Sequence, residues 1–567
     1  MASKVRNCRH AVKNWDKNRV SDRPAASRTS LYTLLHRSYA ALGGVAWLTA
    51  ALAVLAAPAP PRVLLEVNPS AATRASRTVP AGTNLQEALD HAQPGDELVL
   101  PAGQTYSGNF KLPRKSGAGW ITLRSSAMDR LPADGIRVRP TNAAAMPKIV
   151  SPNDQPAFTA APAAGFYRMV GLEITQAESV PYNYGLVELG GEQKTPDQTP
   201  HDFIFDRVYI HANPHAALKR GISLNSASTA IANCWISDCH VDGQDAQAIG
   251  GWSGPGPYKI INTYLEGSGE NVMFGGSDPG IPDLVPSDIE IRGNHFFKPL
   301  AWRQGEPNFG GTRWTVKNLL ELKNARRVLI EGNVFESCWA HGQVGFALVL
   351  TPRSGGKAPW STIEDVAFVN NVVRHCSSGI NILAEDDYHR SDTAKRLLFR
   401  NNLFEDINPG RYGGDGRMVQ LLSPRRPVTD LVIENNTLLH GGHGNTFICL
   451  DGKGKVAQGF AFRGNIVTHG QYGIHSSEAS GEAGLRAYCD GFELARNLII
   501  GAGDARAFPE SNRLVKTIDE AGFQDPSAGN YHLKPESPFR NFVSEGLGAD
   551  MDALAQATAG AISGVWK

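Results

Sequence analysis

The stretch AFVNNVVRH at residues 367–375 decides the fold of this 567-residue chain. Apolar and β-branched residues alternate on both sides of Asn371, a pattern with the period of a β-strand. The same unit, a short strand followed by Asn and further apolar residues, recurs along the chain. The other copies are KIINTYLEG (259–267), EIRGNHFFK (290–298), LIEGNVFES (329–337), LFRNNLFED (398–406), VIENNTLLH (432–440), AFRGNIVTH (461–469), LARNLIIGA (494–502) and a looser ANCWIS (232–237).

The repeat spacing predicts a solenoid. From Asn262 to Asn497 the units follow one another about every 34 residues, and Gly, Asp and Pro separate them. No amphipathic helix fits between the units, although parallel strands in an open sheet need such a crossover. A right-handed parallel β-helix, whose coils each carry two or three short strands, meets both conditions. We expect the repeated Asn to stack as a ladder that satisfies buried backbone groups at a corner. A leucine-rich repeat has a tighter period, and other all-β solenoids remain the alternative.

The solenoid has a recognisable beginning. In TNLQEALDHAQPGDELVLPAG (83–103), Asn84 is placed to cap a short helix over residues 85–91, and residues 96–100 alternate like a strand. We therefore predict four parts, namely an N-terminal targeting or anchoring segment (1–60), a linker (61–78), the β-helix with its capping helix (79–555) and a C-terminal tail (556–567).

The N-terminal segment predicts export. Residues 1–38 carry a net charge of +7, and AALGGVAWLTAALAVLAA (40–57) follows without any charge. A basic flank, an apolar run and small residues are typical of a secretory signal peptide. An uncleaved membrane anchor with its basic end in the cytoplasm is the second interpretation, and a buried core helix is the third. We expect a secreted, periplasmic or cell-envelope protein that touches a membrane only through this segment.

Cysteine usage and charge exclude several classes. Six cysteines follow the apolar segment without any C-x-x-C pair, so a structural zinc site is not expected. One or two disulfides and buried thiols are both compatible with these positions. The formal net charge of +1 argues against a nucleic-acid-binding protein, which would show a basic surface.

The chain resembles the pectin-lyase-like β-helix superfamily. The stretch at 83–103 is similar to the cap and first strand that open many of those proteins, and the Asn units are similar to their coils. NYHLKPESPFRN (530–541), followed by GLGADMDAL (546–554), resembles their closing coil. The resemblance extends over about residues 79 to 555 and implies a bacterial β-helix repeat protein.

A more distant similarity is to the β-helical alginate and chondroitin lyases. GSGENVMFGG (267–276) lies where their first motif would lie, and Lys323 and Arg353 follow in the family's order. The resemblance implies Lys323 as the base and Arg353 as the neutralising or protonating group. This chain departs from the pattern, with Met273 for an arginine and Val316 and Asn318 for an acidic calcium-binding pair.

A basic and an acidic set of residues are the candidate site. Alternation along WTVKNLLELKNARR (314–327) places Lys317, Glu321 and Lys323 on one face of a strand, with Arg326 close by. Eliminating a uronic acid requires cations beside the substrate carboxylate and a base for its neighbouring proton. The alternative is a solvated face in which Glu321 pairs with Lys323.

The acidic set comes from neighbouring coils and comprises Asp242, Asp245, Glu266, Glu270 and Asp278. Paired carboxylates of this kind serve β-helix glycosidases as acid and base, or hold a hard cation, so calcium is the one cofactor candidate. Turn capping at the corners of the coils is the alternative.

Tryptophans concentrate between residues 252 and 360, near both charged sets. We expect Trp302 and Trp314 to stack on sugar rings, and the packing of loops onto the β-helix is the alternative. Together these features favour a monomeric polysaccharide lyase that cleaves a uronic-acid glycan. A glycoside hydrolase and a non-catalytic glycan-binding or envelope protein are the other two hypotheses.

Overall fold

The computed structural model describes residues 55–69, 74–80, 82–117, 119–544 and 546–566. Most of the apolar segment 40–57 lies outside the described residues. Three long parallel sheets follow one another around each coil, and the predicted parallel β-helix is confirmed. We number them sheets 1 to 3 and refer to each strand by its bounds.

Sheet 1 contains fourteen parallel strands. It receives the strand that precedes the ladder asparagine in each repeated unit. Its strands are Ala75–Thr78, Asp96–Leu100, Ile121–Ser125, Gly165–Val170, His201–Asp206, Ala227–Ala232, Gly256–Ile261, Ser287–Arg292, Ala325–Glu331, Ile363–Val369, Lys395–Arg400, Val428–Glu434, Ala457–Arg463 and Cys489–Ala495.

Sheet 2 also contains fourteen strands and receives the apolar residues that follow the ladder asparagine. Its strands are Thr105–Ser107, Lys148–Ser151, Glu173–Gln176, Tyr209–His211, Trp235–Cys239, Tyr264–Gly267, His295–Phe297, Val334–Cys338, Val372–Cys376, Leu403–Ile407, Thr437–His440, Ile466–Thr468, Leu498–Ile500 and Arg513–Val515.

Sheet 3 contains twelve strands and forms the third wall of the coil. Its strands are Phe110–Leu112, Phe158–Ala160, Val187–Leu189, Arg220–Leu224, Gln247–Gly251, Glu270–Phe274, Asn318–Leu322, Phe346–Leu350, Ser378–Leu383, Arg417–Ser423, Thr446–Gly452 and Gly473–Ser476.

A few shorter elements lie outside the three large sheets. A parallel pair (Tyr182–Asn183 with Ala217–Leu218) lies beside sheet 3, and an antiparallel pair (Phe523–Asp525 with Asn530–Leu533) follows the last coil. The α-helices are Leu85–His91, Pro409–Tyr412, Gly481–Tyr488 and Met551–Ser563. The 3-10 helices are Met128–Arg130, Pro140–Ala145, Pro196–Gln198, Leu300–Trp302, Ala505–Ala507, Asp519–Ala521 and Pro526–Ala528.

The interior of the coils is a continuous apolar core. Leu320, Leu322 and their counterparts in other coils point inward, and a stack of phenylalanines runs through the middle coils. Phe296 and Phe335 stack at 4.3 Å between ring centroids, and Phe368 continues the stack 5.4 Å from Phe335. Apolar burial of this extent is the main driving force for the fold.

The expected asparagine ladder occupies the corner between sheets 1 and 2. Asn371 Nδ2 donates to Asn402 Oδ1 at 3.2 Å and to the carbonyl oxygens of Ile330 and Val369 at 2.9 Å each. Its Oδ1 accepts from Asn333 Nδ2 and from the Asn333 backbone N–H. Similar bonds link all rungs of the ladder, which are Asn294, Asn333, Asn371, Asn402, Asn436, Asn465, Asn497 and Asn512.

Asn233 and Asn262, which we expected in the ladder, occupy the preceding position of the coil instead. Their φ angles are 56° and 46°, in the left-handed region that Asn tolerates and Gly favours. Gly293 and Gly332 hold this position in the next two coils, with φ of 62° and 67°. The prediction for Asn233 and Asn262 was therefore wrong by one residue.

The start of the domain agrees with the sequence except at the linker. Asn84 Oδ1 accepts from the backbone N–H groups of Gln86 and Glu87, which caps helix Leu85–His91 as predicted. The predicted linker 61–78 was wrong in part, because Ala75–Thr78 is a strand of sheet 1. Upstream of it, the Arg62 backbone N–H donates to Asp288 Oδ1 at 2.8 Å.

The end of the domain differs more strongly. Residues 530–541 do not form the expected closing coil, because Asn530–Leu533 pairs antiparallel with Phe523–Asp525. The predicted tail 556–567 begins inside helix Met551–Ser563, so that boundary was wrong too. Arg137 fixes this helix by donating to the Ala561 carbonyl at 2.7 Å, and the same guanidinium reaches the Asn262 carbonyl at 2.9 Å.

The cysteines from Cys234 onward are buried in the interior of the protein. Cys234, Cys239, Cys338, Cys376 and Cys489 are buried thiols, which agrees with the second of the two interpretations of their positions. Burial raises the pKa of Cys338 to about 12, so this thiol stays protonated at neutral pH.

No described helix combines the length and the apolar character that a membrane crossing requires.

Candidate functional site

The candidate site lies on the outer face of sheet 3, where three neighbouring strands carry polar residues in register. Gln247 pairs with Glu270, and Glu270 pairs with Asn318, in successive coils. Val272 and Leu320, two residues further along their strands, are aligned with each other and pack into the core. The apolar positions fix the register of the strands, and the ion contacts of Lys317 with Glu270 and of Lys323 with Glu321 gather the polar side chains on the outer face.

Glu270 is the most deeply placed charged group of this face. It has no solvent exposure, and its Oε2 accepts from Gln247 Nε2 at 2.7 Å. Burial, reinforced by the charges of Glu321 and Asp245, raises the pKa of Glu270 to about 8. This glutamate therefore keeps its proton at neutral pH.

Lys317 lies directly above Glu270. Its ammonium forms an ion pair with Asp245 and lies 3.8 Å from Glu270 Oε1. Burial by itself would lower the pKa of Lys317, but Glu270 and Asp245 raise it above the usual value. Lys317 is therefore a fixed positive charge, and the structure brings these three predicted residues together.

Lys323 and Glu321 project from the same face, as the alternation predicted. Lys323 Nζ lies 3.3 Å from Glu321 Oε1, and Asn318 Nδ2 approaches Glu321 Oε2 at 3.5 Å. The ion pair that we considered as the alternative is thus present. Its side chains are only 14% and 3% exposed, so it belongs to the charged cluster rather than to a solvated surface.

Arg353 is a neighbour of Lys323 through the backbone but not through its side chain. Its backbone N–H donates to the Lys323 carbonyl at 2.9 Å. The guanidinium pairs with Asp387 and lies 3.7 Å from Asp386 Oδ1, while its carbon centre is 5.0 Å from the ring centroid of Tyr388. A cavity of about 510 Å³, which Tyr388 helps to line, adjoins this arginine.

Lys298 supports the site from inside, and no pattern in the sequence indicated this role. Its side chain is fully buried, and its ammonium donates to Asn271 Oδ1 at 2.9 Å and to the carbonyls of Gly267, Ser268 and Gly269. These residues form the turn directly before Glu270, the first residue of its strand in sheet 3. Burial lowers the pKa of Lys298 to about 8.

Arg220 is a second residue that the sequence reasoning missed. It pairs with Gln247 at the start of its strand and therefore belongs to the same row as Glu270 and Asn318. In the sequence, Arg220 directly precedes GISLNS (221–226), whose apolar alternation is that of a strand. Because the row is built from residues in separate coils, this signal was too weak to select one arginine.

A calcium ion does not fit these residues well. Gln247 Oε1, Glu270 Oε1 and Asn318 Oδ1 are buried side-chain oxygens without a hydrogen-bond partner in the described ranges. Only one of the three is a carboxylate oxygen, and the Lys317 ammonium already lies beside it. Among the described residues no group of three His, Cys, Asp or Glu side chains is arranged to hold a metal.

Trp302 and Trp314 do not form an exposed sugar platform, so that expectation was wrong. They are 6% and 7% exposed and pack around His240, with ring centroids 5.3 and 4.0 Å from the imidazole. Burial lowers the pKa of His240 to about 4, so the imidazole is neutral. Trp302 still borders a cavity of about 250 Å³ that Arg313 and His341 also line. The tryptophans mainly fix the long loop beside the site.

Two further predicted residues stand apart from the cluster. Arg326 lies on sheet 1 and pairs with Glu364, so it does not share a face with Lys323. Asp242 is an exposed loop residue for which no ion pair or hydrogen bond of its carboxylate occurs within the described part of the chain. The cluster therefore comprises Asp245, Glu270, Lys317, Glu321 and Lys323, with Arg353 at its edge.

Comparison with known proteins gives distant similarities only. No protein-family profile matches the chain, and no curated protein matches it. A mannuronic acid specific polysaccharide family 6 lyase from human gut microbiota is 13% identical, with 86% of this chain and 98% of that chain covered and a TM-score of 0.44.

Two other solved structures are similarly distant. The family 6 polysaccharide lyase Pedsa3628 from Pseudopedobacter saltans is 13% identical over 83% of this chain and 98% of that chain, with a TM-score of 0.37. XylC in complex with xylose is 9% identical over 78% of this chain and 86% of that chain, with a TM-score of 0.41. At such low identity these similarities do not establish the reaction, which has to be inferred from the side chains of the site.

Proposed function

We propose that this chain is a polysaccharide lyase that cleaves a uronic-acid-containing glycan by β-elimination on the outer face of sheet 3. One observation carries the proposal. Two lysines, Lys317 and Lys323, lie on one face with a protonated Glu270 and several buried acceptors that have no partner. Buried polar groups are normally paired, so an unpaired set on an outer face indicates a place for a ligand.

The reaction needs three functions. A cation must neutralise the uronate carboxylate, so that the adjacent C–H becomes acidic. A base must remove that proton while the glycosidic C–O bond breaks and a C=C bond forms. The departing oxygen must then take up a proton.

We assign these functions to residues of the cluster. Lys317 supplies the neutralising charge, because its acidic neighbours keep it protonated. Lys323, which pairs with Glu321, acts as the base after it has passed one proton to this glutamate, and the ammonium that forms when it removes the C–H proton returns that proton to the departing oxygen. Arg353 acts from the edge as a second neutralising group, for which a substrate carboxylate has to displace Asp386 or Asp387.

Ultraviolet absorbance of the unsaturated product tests this proposal. The wild-type protein is incubated with a panel of alginate, pectate, hyaluronan, chondroitin and glucuronan. We expect absorbance to rise with time on at least one polymer. Absence of unsaturated product on every uronic-acid polymer would overturn the proposal.

A glycoside hydrolase is the second candidate, and the state of Glu270 favours it. A carboxyl group with a raised pKa close to a second carboxyl group, here Asp245, is the pattern of a glycosidase acid and its partner. Release of reducing ends without unsaturated product would establish this activity. Binding without turnover would instead indicate a glycan-binding or envelope protein.

Export and monomeric state belong to the same proposal. Residues 40–57 support secretion or anchoring in the cell envelope. Fractionation of cells that express the full chain, followed by N-terminal sequencing, distinguishes a cleaved signal peptide from an anchor. Light scattering of the exported protein tests the monomer.

A further inference from the structure

We propose that Arg220, together with Tyr182 and Trp252, forms a subsite for the carboxylate of a second acidic sugar unit. The ligand class rests on the proposed function, but the subsite lies beside the catalytic cluster and not within it. Arg220 is two strands of sheet 3 away from Glu270. With adjacent strands about 4.8 Å apart, this separation is about 10 Å.

Arg220 is a cation without a fixed partner. In the described ranges its guanidinium has no hydrogen bond and no carboxylate within ion-pair distance, and its Nε is buried without a partner. The guanidinium carbon lies 5.0 Å from the ring centroid of Trp252.

Two tyrosines complete the surroundings of Arg220. The short parallel pairing of Tyr182–Asn183 with Ala217–Leu218 is followed by Tyr184 over Lys219, and Tyr182 lies close enough to Arg220 for each to affect the pKa of the other. The Tyr182 hydroxyl is buried without a hydrogen-bond partner in the described chain, and Tyr184 is 58% exposed. The subsite thus offers two unused polar groups, at Arg220 and Tyr182, and an exposed aromatic ring.

The subsite is continuous with the catalytic cluster. Lys219 Nζ lies 5.6 Å from the Tyr184 ring centroid and 3.4 Å from Gln244 Oε1. Gln244 precedes Asp245, which pairs with Lys317. A glycan that crosses the coils along sheet 3 would therefore meet cationic groups at both places.

The chemistry of Arg220 selects a carboxylate. A guanidinium presents parallel N–H donors that match the two oxygens of a carboxylate, and such charge-assisted bonds are among the strongest in proteins. A largely buried charge without a partner is unfavourable, so an anionic ligand is stabilised there more than at an exposed arginine. An aromatic ring beside the donors suits the apolar face of a sugar.

Calorimetric titration with uronic-acid oligosaccharides and their carboxyl-reduced counterparts tests the subsite. We expect Arg220→Gln to weaken binding of the acidic oligosaccharides about tenfold or more, and binding of the reduced ones by much less. Tyr182→Phe should weaken acidic binding by a smaller factor. The matched control is Arg506→Gln, which removes the same charge from an exposed position and should leave both affinities unchanged.

The outcomes separate the subsite from the proposed lyase activity. If no polymer yields unsaturated product but acidic binding depends on Arg220, the subsite stands and the lyase proposal falls. If product forms while Arg220→Gln leaves both KM and oligosaccharide affinity unchanged, the subsite is wrong. Melting curves and Arg220→Lys, which keeps the charge, reveal any loss that comes from misfolding, and an equal loss for acidic and reduced ligands would also overturn the subsite.

Discussion

Polar side chains are buried both in the asparagine ladder and on the outer face of sheet 3, but the two regions differ in how these side chains are hydrogen-bonded. In the ladder, the Asn402 amide donates to the Asn436 Oδ1 and the Phe368 carbonyl and accepts from Asn371. On sheet 3, side-chain oxygens of Glu270 and Asn318 are buried without hydrogen-bond partners in the described structure. Polar groups that hold a fold together are paired, and exceptions concentrate at functional sites. The ladder is therefore the structural part of the coil, and we propose that sheet 3 carries the chemistry.

The largest expected effect is on the ladder. Asn402→Ala leaves the Asn371 backbone N–H and the Phe368 carbonyl buried without partners. We expect a loss of about 4 kcal/mol in the free energy of unfolding, measured by urea denaturation. The control is Asn370→Gly in the neighbouring coil, because Gly332 holds the same left-handed position. A ladder variant as stable as this control would remove the structural half of the comparison.

Lys298→Met connects the two regions, because Lys298 is a core residue that shapes the site. The substitution leaves the carbonyls of Gly267, Ser268 and Gly269 without their donor. We expect a loss of about 3 kcal/mol together with reduced turnover. Lys453→Met, at an exposed loop position, is the control. An increase in stability would show that the unfavourable burial of the ammonium outweighs its hydrogen bonds.

Glu270→Gln tests the raised pKa of Glu270 through the pH dependence of stability. Because its folded pKa of about 8 lies above the ordinary 4.5, the folded protein retains a proton that the unfolded chain has released between these values. Stability of the wild type must therefore fall as pH rises through this window. We expect the variant, which cannot titrate there, to gain on the wild type by about 1.4 kcal/mol for each pH unit inside this window. A difference independent of pH in urea denaturation would contradict the raised pKa.

Removal of calcium should have the smallest effect. Lys317 already provides the positive charge beside Glu270, so a chelator should shift the melting temperature by less than about 1 °C and leave turnover unchanged. The reference is the same protein with added calcium. A clear loss of stability or activity, restored by calcium and not by magnesium, would show that the unpaired oxygens bind a metal.

The fold was predictable because its signal is local and repeated. Each ladder asparagine from Asn294 to Asn497 stands at the same place in its own unit, and alternation sufficed to assign the strands. Asn512 was missed because it follows Asn497 after only 15 residues, a much shorter step than the others. Asn262 was misplaced because Asn is favoured both in the ladder and at the left-handed corner before it.

The site was predictable where its residues share one strand, and in part where neighbouring coils carry acidic residues, as with Asp245 and Glu270. Lys317, Glu321 and Lys323 were placed on one face by alternation, and the structure agrees. Lys298 and Arg220 act across coils, and loops of unequal length hide such contacts from the sequence. The burial of Trp302 depends in the same way on His240, which comes from a different coil.

The activity of Lys323→Ala is the most direct test of the claim that sheet 3 carries the chemistry. Initial rates of unsaturated-product formation and melting curves are measured for this variant, the wild type and Lys453→Ala. We predict that kcat/KM falls at least about 100-fold in Lys323→Ala alone. The melting temperature should stay within about 2 °C of the wild type. Unchanged kcat/KM in a folded Lys323→Ala protein would contradict the account.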